Sequence, residues 1–118
     1  MSEAEVDARS MLLSVSTAMV RLHKEQFGRG ATRARSYFAG DDALVCVLED
    51  VLLPAELKMV ELGQAVKVRE SRSAFQTATQ TEFVEAVEAV VGRRVHAFAS
   101  ATDPQRNVVF ENFTFEPL

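Results

Sequence analysis

Over residues 3–27 the apolar positions keep helical spacing. Val6, Leu13, Val20 and Phe27 stand seven apart, and Leu12, Ser16, Met19 and His23 fill in at threes and fours. That period predicts one long amphipathic helix with a single core-facing stripe. Ser2 with Glu5 fits a capping box at its start, and acidic residues fall in its first turn. Gly28 stands where a left-handed C-cap belongs.

The period then shortens to two. Residues 33–39, "RARSYFA", and 43–48, "ALVCVL", predict two strands joined by a tight "GDD" turn, the second apolar on both faces and therefore central. "LLPAELKMVELG" predicts a short helix, with Pro54 at its first position, Glu56 in its first turn and Gly63 at its end. A longer helix should run from about Gln64 to Val91 and stop at Gly92. Its stripe would hold Val68, Phe75, Phe83, Val87 and Val90, with Arg72 and Thr79 on the same face. Residues 94–102 and 107–115 return to period two around the turn "DPQR".

The order is α-ββ-αα-ββ, with no repeat, linker or low-complexity tract. It predicts an α+β fold and a single domain over residues 1–118. Two hairpins would join one four-stranded antiparallel sheet, with the helices packed on one face. Val95, Ala97, Ala99 and Ala101 are small, as close helix packing requires, which would turn His96 and Phe98 the other way. Tyr37 against Phe38, and Phe110 against Val109, Phe113 and Phe115, also place apolar groups on both faces. Burial is worth ~25 cal/mol per Å2, so covering such a patch is worth several kcal/mol. A second copy of the chain is the expected cover, and a homodimer is predicted.

Composition narrows the function classes. With 13 Lys and Arg against 17 Asp and Glu, the net charge is −4. That balance excludes broad nucleic-acid binding and stable docking to anionic lipid. Cys46 is the only cysteine, so no intramolecular disulfide or multi-cysteine metal site can form. "MSEAEVDARS" has no basic n-region or apolar h-region, so it does not read as a signal peptide. No apolar run approaches the ~18 residues of a membrane span. The expectation is a cytoplasmic protein without membrane insertion.

Candidate chemistry is sparse. Gly28-Arg29-Gly30 resembles a phosphate loop, but it follows a helix and precedes a strand, so its N–H groups are not gathered at a helix N-terminus. A helix cap plus a turn is the preferred reading. Arginines also cluster as Arg33 with Arg35, Arg69 with Arg72, and Arg93 with Arg94. On a core-facing stripe Arg72 needs a partner. An ion pair with Glu or Asp, or a snorkelling stem, stands beside an anion-binding role. If the glycine turn lies next to the long helix, Arg29, Arg33, Arg69 and Arg72 could form a site for a small anion or a phosphate metabolite. His23, His96 and Cys46 have no visible partners, and Glu82, Glu85 and Glu88 read as a solvated helix face. No catalytic residue, metal or cofactor is expected.

The segments "KEQFGRG", "ARSYFAGDDALVCVLEDVL", "LPAELKMVELGQAVKVRESR", "VVGRRVHAF" and "NVVFENF", in that order, resemble the small MpsC-like domain family. The family is named for a sodium-translocating, membrane-potential-generating system. The most specific pieces are Gly28-Arg29-Gly30, Leu53-Pro54-Ala55-Glu56 and Arg69. Two positions depart from the family pattern. Ala31 stands where a proline is common, and Leu53 replaces a threonine that would cap the short helix. The resemblance implies association with a membrane transporter and supplies no catalytic residues. Together these readings predict a non-enzymatic accessory or regulatory protein, with anion binding as the alternative.

Overall fold

A computed structural model describes residues 1–118. Its elements are α1 (Glu3–Phe27), β1 (Arg33–Phe38), β2 (Ala43–Glu49), α2 (Pro54–Glu61), α3 (Ala65–Val91), β3 (Val95–Asp103) and β4 (Val108–Phe115). The predicted order α-ββ-αα-ββ is present, each boundary within one residue. The strands form one antiparallel sheet in the order β1-β2-β4-β3, so the two hairpins meet at β2 and β4.

Local chemistry sets the ends of these elements. The Ser2 hydroxyl accepts from the Glu5 backbone N–H. Gly28 takes φ 87°, a conformation that lacks the usual Cβ clash only in glycine, and its N–H closes on the Lys24 carbonyl. At Gly30 a Cβ would come within 3.1 Å of the Val20 side chain, because the chain doubles back against α1 there. The two glycines of the Gly-Arg-Gly motif thus end a helix and permit a close crossing. Leu53 brings no side-chain cap to α2, but the Glu56 carboxylate accepts from its N–H at 2.9 Å.

One face of the sheet is buried and the other is open. In β2 and β4 buried positions alternate with partly or fully exposed ones. Leu44, Cys46, Leu48, Val109, Phe113 and Phe115 join Val15, Met19 and Leu22 of α1 and Val68, Phe83 and Val87 of α3 in the core. Phe98 stacks between Phe83 and Phe113, with centroids 5.9 and 4.8 Å away.

Three sequence expectations change. β3 presents the opposite face from the one its alanines suggest. Phe98 packs on the core, while Ala97, Ala99 and Ala101 are exposed. The cause is a bulge: Val95 pairs with Phe115 and Ala97 with Thr114, leaving His96 as an extra residue that shifts the alternation. On α1, Val6 and Leu13 are exposed at 49% and 69%. The buried face is Val15, Ser16, Met19, Leu22 and His23, about one position round from the heptad stripe. Phe75 of α3 is likewise 41% exposed, although its ring meets Phe27.

Phe83→Ala should therefore cost about 3–5 kcal/mol in urea unfolding, the range for an emptied aromatic core position. Leu13→Ser, a change within the heptad stripe, should stay within about 0.5 kcal/mol. A large loss at Leu13 would mean that α1 packs on a different face.

Candidate functional site

The predicted arginines are dispersed among separate partners. Arg29 holds Asp50, donating from Nη2 to the carboxylate at 2.7 Å and from Nε to the Asp50 carbonyl. Arg33 and Arg35 share Glu49 across β1 and β2 at 3.5 and 3.7 Å. Arg69 donates from Nε to the Thr102 carbonyl, and alone of Arg29, Arg33, Arg69 and Arg72 it borders a cavity, of about 260 Å3, beside Ser73, Ser100 and Thr102. The four candidates surround no common space.

Arg72 is 2% exposed and meets Glu56 through two bonds, at 2.6 and 2.8 Å. It also donates to the Val51 carbonyl, and its guanidinium lies 4.1 Å from the centre of the Phe27 ring. Burial raises the Glu56 carboxyl, but the Arg72 bonds and the Leu53 N–H outweigh it and hold the group below its ordinary range. The ion-pair reading of Arg72 is the one its geometry matches.

The adjoining corner is built from left-handed residues. Asp50 and Asn107 have φ 60° and 57°. Asp50 N–H donates to the Asn107 carbonyl, and the Asn107 side-chain oxygen accepts from Val51 and Leu52 N–H at 2.8 and 2.9 Å. Arg29 is thereby tied through Asp50 to the segment that also receives Arg72.

A second cluster lies beneath α1 and α3. Ser36 pairs with Cys46, Cys46 with Glu111, and Glu111 with Ser100, so one polar row crosses all four strands on the helix side. Apolar or small residues flank it: Leu48 and Val109 on one side, Leu44, Phe113 and Phe98 on the other. Ser16 of α1 bonds the Ser36 hydroxyl at 2.7 Å. Ser100 donates to Glu111, and Gln76 of α3 lies 3.3 and 3.4 Å from its two oxygens. His23 Nε2 is 4.0 Å from Glu111, and both residues are fully buried. Neither ring nitrogen of His23 has a hydrogen-bond partner.

These environments displace three titrations. Burial, with smaller opposing effects from Ser100, Arg72 and Gln76, pushes Glu111 up to about 8. Burial, reinforced by the Arg72 charge, lowers His23 to about 4. Burial raises the Cys46 thiol to about 11. His23 and Cys46, without partners in the linear sequence, thus converge on a glutamate. The signal for it was present: Glu111 keeps the phase of Val109, Phe113 and Phe115, a carboxylate where the alternation calls for an apolar side chain. His96 stays outside, exposed at the bulge. No three His, Cys, Asp or Glu side chains are gathered closely enough to hold a metal ion, and no helix is long and apolar enough to cross a membrane.

A protein-family model described as "Na+-translocating membrane potential-generating system (MpsC)" matches residues 8–117. No curated protein matches the chain. No solved structure matches it either.

Arg72→Met should cost about 3–5 kcal/mol, because it strands a partly buried carboxylate. Glu56 has a folded pKa below its unfolded value, so its contribution is present above about pH 4.5 and is lost as pH falls through the folded value. Glu56→Gln should flatten that acid limb when urea midpoints are followed from neutral to low pH. An unchanged limb would assign the acid loss to other groups.

Proposed function

The chain belongs to the MpsC family, and from that premise we propose that it is a non-catalytic accessory or regulatory domain of a membrane-potential-generating transport system, working in the cytoplasm as a homodimer joined through the open face of its sheet.

The observation that carries this reading is the chemistry of that face. Tyr37 and Phe110 are 49% and 38% exposed, with Val45, Val47 and Val108 between and beside them. No helix covers them. Tyr37, Val45, Asn112 and Ala99 form one row across the strands, and Arg35, Val47, Phe110 and Ala101 form the next. Bulky groups stand on β1, β2 and β4, and the alanines leave β3 flat.

A two-fold axis parallel to the strands would lay β1 of one copy over β3 of the other. Tyr37 would then meet the alanine row, and Arg33 and Arg35 would approach Asp103. Such an interface is self-complementary in shape and charge, as an isologous dimer requires. The family description, which names a membrane-potential-generating system, supports association with such a system. The buried thiol of Cys46, with no second cysteine, supports a reducing compartment.

A second reading rests on Arg69. Its guanidinium opens onto the cavity with Ser73, Ser100 and Thr102, a donor-rich setting that suits a small anion.

Sedimentation at micromolar concentration should give a dimer for the native chain. Phe110→Glu should give a monomer with unchanged circular dichroism. A native chain that sediments as a monomer removes the dimer, and bait that recovers only itself from solubilised membranes removes the accessory role. For the second reading, a thermal-shift screen of inorganic phosphate and small carboxylates should show saturable stabilisation that is lost in Arg69→Ala. A flat screen ends it.

A further inference from the structure

Glu111 sits on the central strand β4 with no exposed surface, and its surroundings are poorly matched to a negative charge. Each element packed against it contributes a group. From α1 comes His23, at 4.0 Å, beyond hydrogen-bond range. From α3 come Gln76, at a long 3.3 and 3.4 Å, and Arg72, whose Nε and Nη2 are spent on Glu56 and the Val51 carbonyl and whose Nη1 is buried without a partner and makes no bond to Glu111. β2 contributes the Cys46 thiol beside it, and β3 the Ser100 hydroxyl. Ser16 and Ser36 bond one another at the far end of the row. No cation touches the carboxylate. An ionised group so placed would be buried and unpaired, the arrangement folded proteins avoid by protonation.

The carboxylate is nevertheless close to solvent. A cleft of about 180 Å3 opens between α3 and β3, bordered by Ser73, Gln76, Thr77, Phe98 and Ser100. Gln76 and Ser100 are the two side chains that hydrogen-bond to Glu111, and both border the cleft, so a single layer separates the carboxyl from it. The Gln76 side-chain oxygen is buried and has no partner, leaving this wall incompletely bonded.

We propose that Glu111 is a proton-binding site at the floor of the α3–β3 cleft, and that its proton governs how firmly α3 is seated on the sheet. The proton is taken from water in the cleft onto a carboxylate oxygen, making a neutral acid that the surrounding amide and hydroxyls can satisfy. Its loss leaves a buried negative charge, which is relieved by admitting water past Gln76 and Ser100 and so loosening the wall formed with Phe98. The site is independent of the open sheet face, and its cleft shares Ser73 and Ser100 with the cavity beside Arg69.

The pH window follows from two opposed groups. Glu111, raised to about 8 from 4.5, contributes stability that is fully present below 4.5 and is lost as pH rises through about 8. His23, lowered to about 4 from 6.5, acts in the other direction, because the unfolded chain binds its proton between those values. The two cancel between about 4.5 and 6.5 and leave Glu111 alone between about 6.5 and 8. Over that interval the unfolding constant should rise about tenfold per pH unit, the slope of one released proton.

Urea unfolding of the native chain from pH 6 to 9 should show this slope relative to Glu111→Gln, which keeps the shape and cannot ionise. The Phe98 ring resonances should titrate in the same range and stay fixed in the variant. Parallel profiles for the two proteins, or a Phe98 ring that titrates equally in both, would overturn the proposal. Should the variant fail to fold, infrared spectra of the native chain carrying carbon-13 glutamate decide. A protonated-carboxyl band present at neutral pH and lost through about pH 8 supports the site, and absence of that band at neutral pH refutes it.

Discussion

A guanidinium with almost no solvent contact depends on the protein around it, and Arg72 draws on three other segments, with only Nη1 left without a hydrogen-bond partner. It rises from α3, grips Glu56 of α2, donates to the Val51 carbonyl after β2, and lies over the Phe27 ring at the end of α1. Those segments are distant in sequence, and Arg72 adds to the other ties at that corner, Asn107 on Val51 and the His23 and Phe75 rings against Phe27. α2 contributes no fully buried residue of its own. The charge pair therefore fixes where the short helix sits, and through Val51 it fixes how β2 leaves the sheet. Asp50 and Asn107 complete the corner in left-handed conformations that most residues adopt only at a cost. The core then fills the space that this frame defines.

How much of this was legible depends on the range over which each feature is encoded. Helix ends are local: Ser2, Gly28, Pro54 and Gly92 announced them, and the boundaries agree to within a residue. Strand existence is local too. Facing is less so. The alternation in β3 runs cleanly from Ala97 onward, but its phase relative to Val95 depends on where β4 accepts it, and His96 absorbs the mismatch. On α1, two heptad-spaced sets of apolar residues compete, Val6, Leu13 and Val20 against Val15 and Leu22, and only packing on the sheet decides that the second set goes in and Leu13 stays outside.

The polar row under the helices was the least legible part of the candidate site, because it belongs to no single element. Ser36, Cys46, Glu111 and Ser100 are scattered along the chain. They line up only once β2 and β4 become neighbours, a pairing that joins the two hairpins and that no turn specifies. Ion pairing of Arg72 could be reasoned from a single helix. The company of His23 could not. The sheet thus has two unlike faces, one offering apolar surface to the outside and one hiding titratable groups within, and both arise from the same period-two alternation.

The bulge at His96 also bears on how this sequence can change over time. Insertions and deletions are usually absorbed where strands turn, but the turn after Asp103 holds the buried Pro104 and the Asn107 that anchors Val51 and Leu52. One codon removed at position 96 would leave Val95 opposite Phe115 and Ala97 opposite Thr114 in unbroken alternation, so Val95 and Phe98 would both keep to the core. The strand carries one residue more than its pairing uses, and loss of this exposed histidine is a length change that β3 can absorb without turning its lining of the α3–β3 cleft outward.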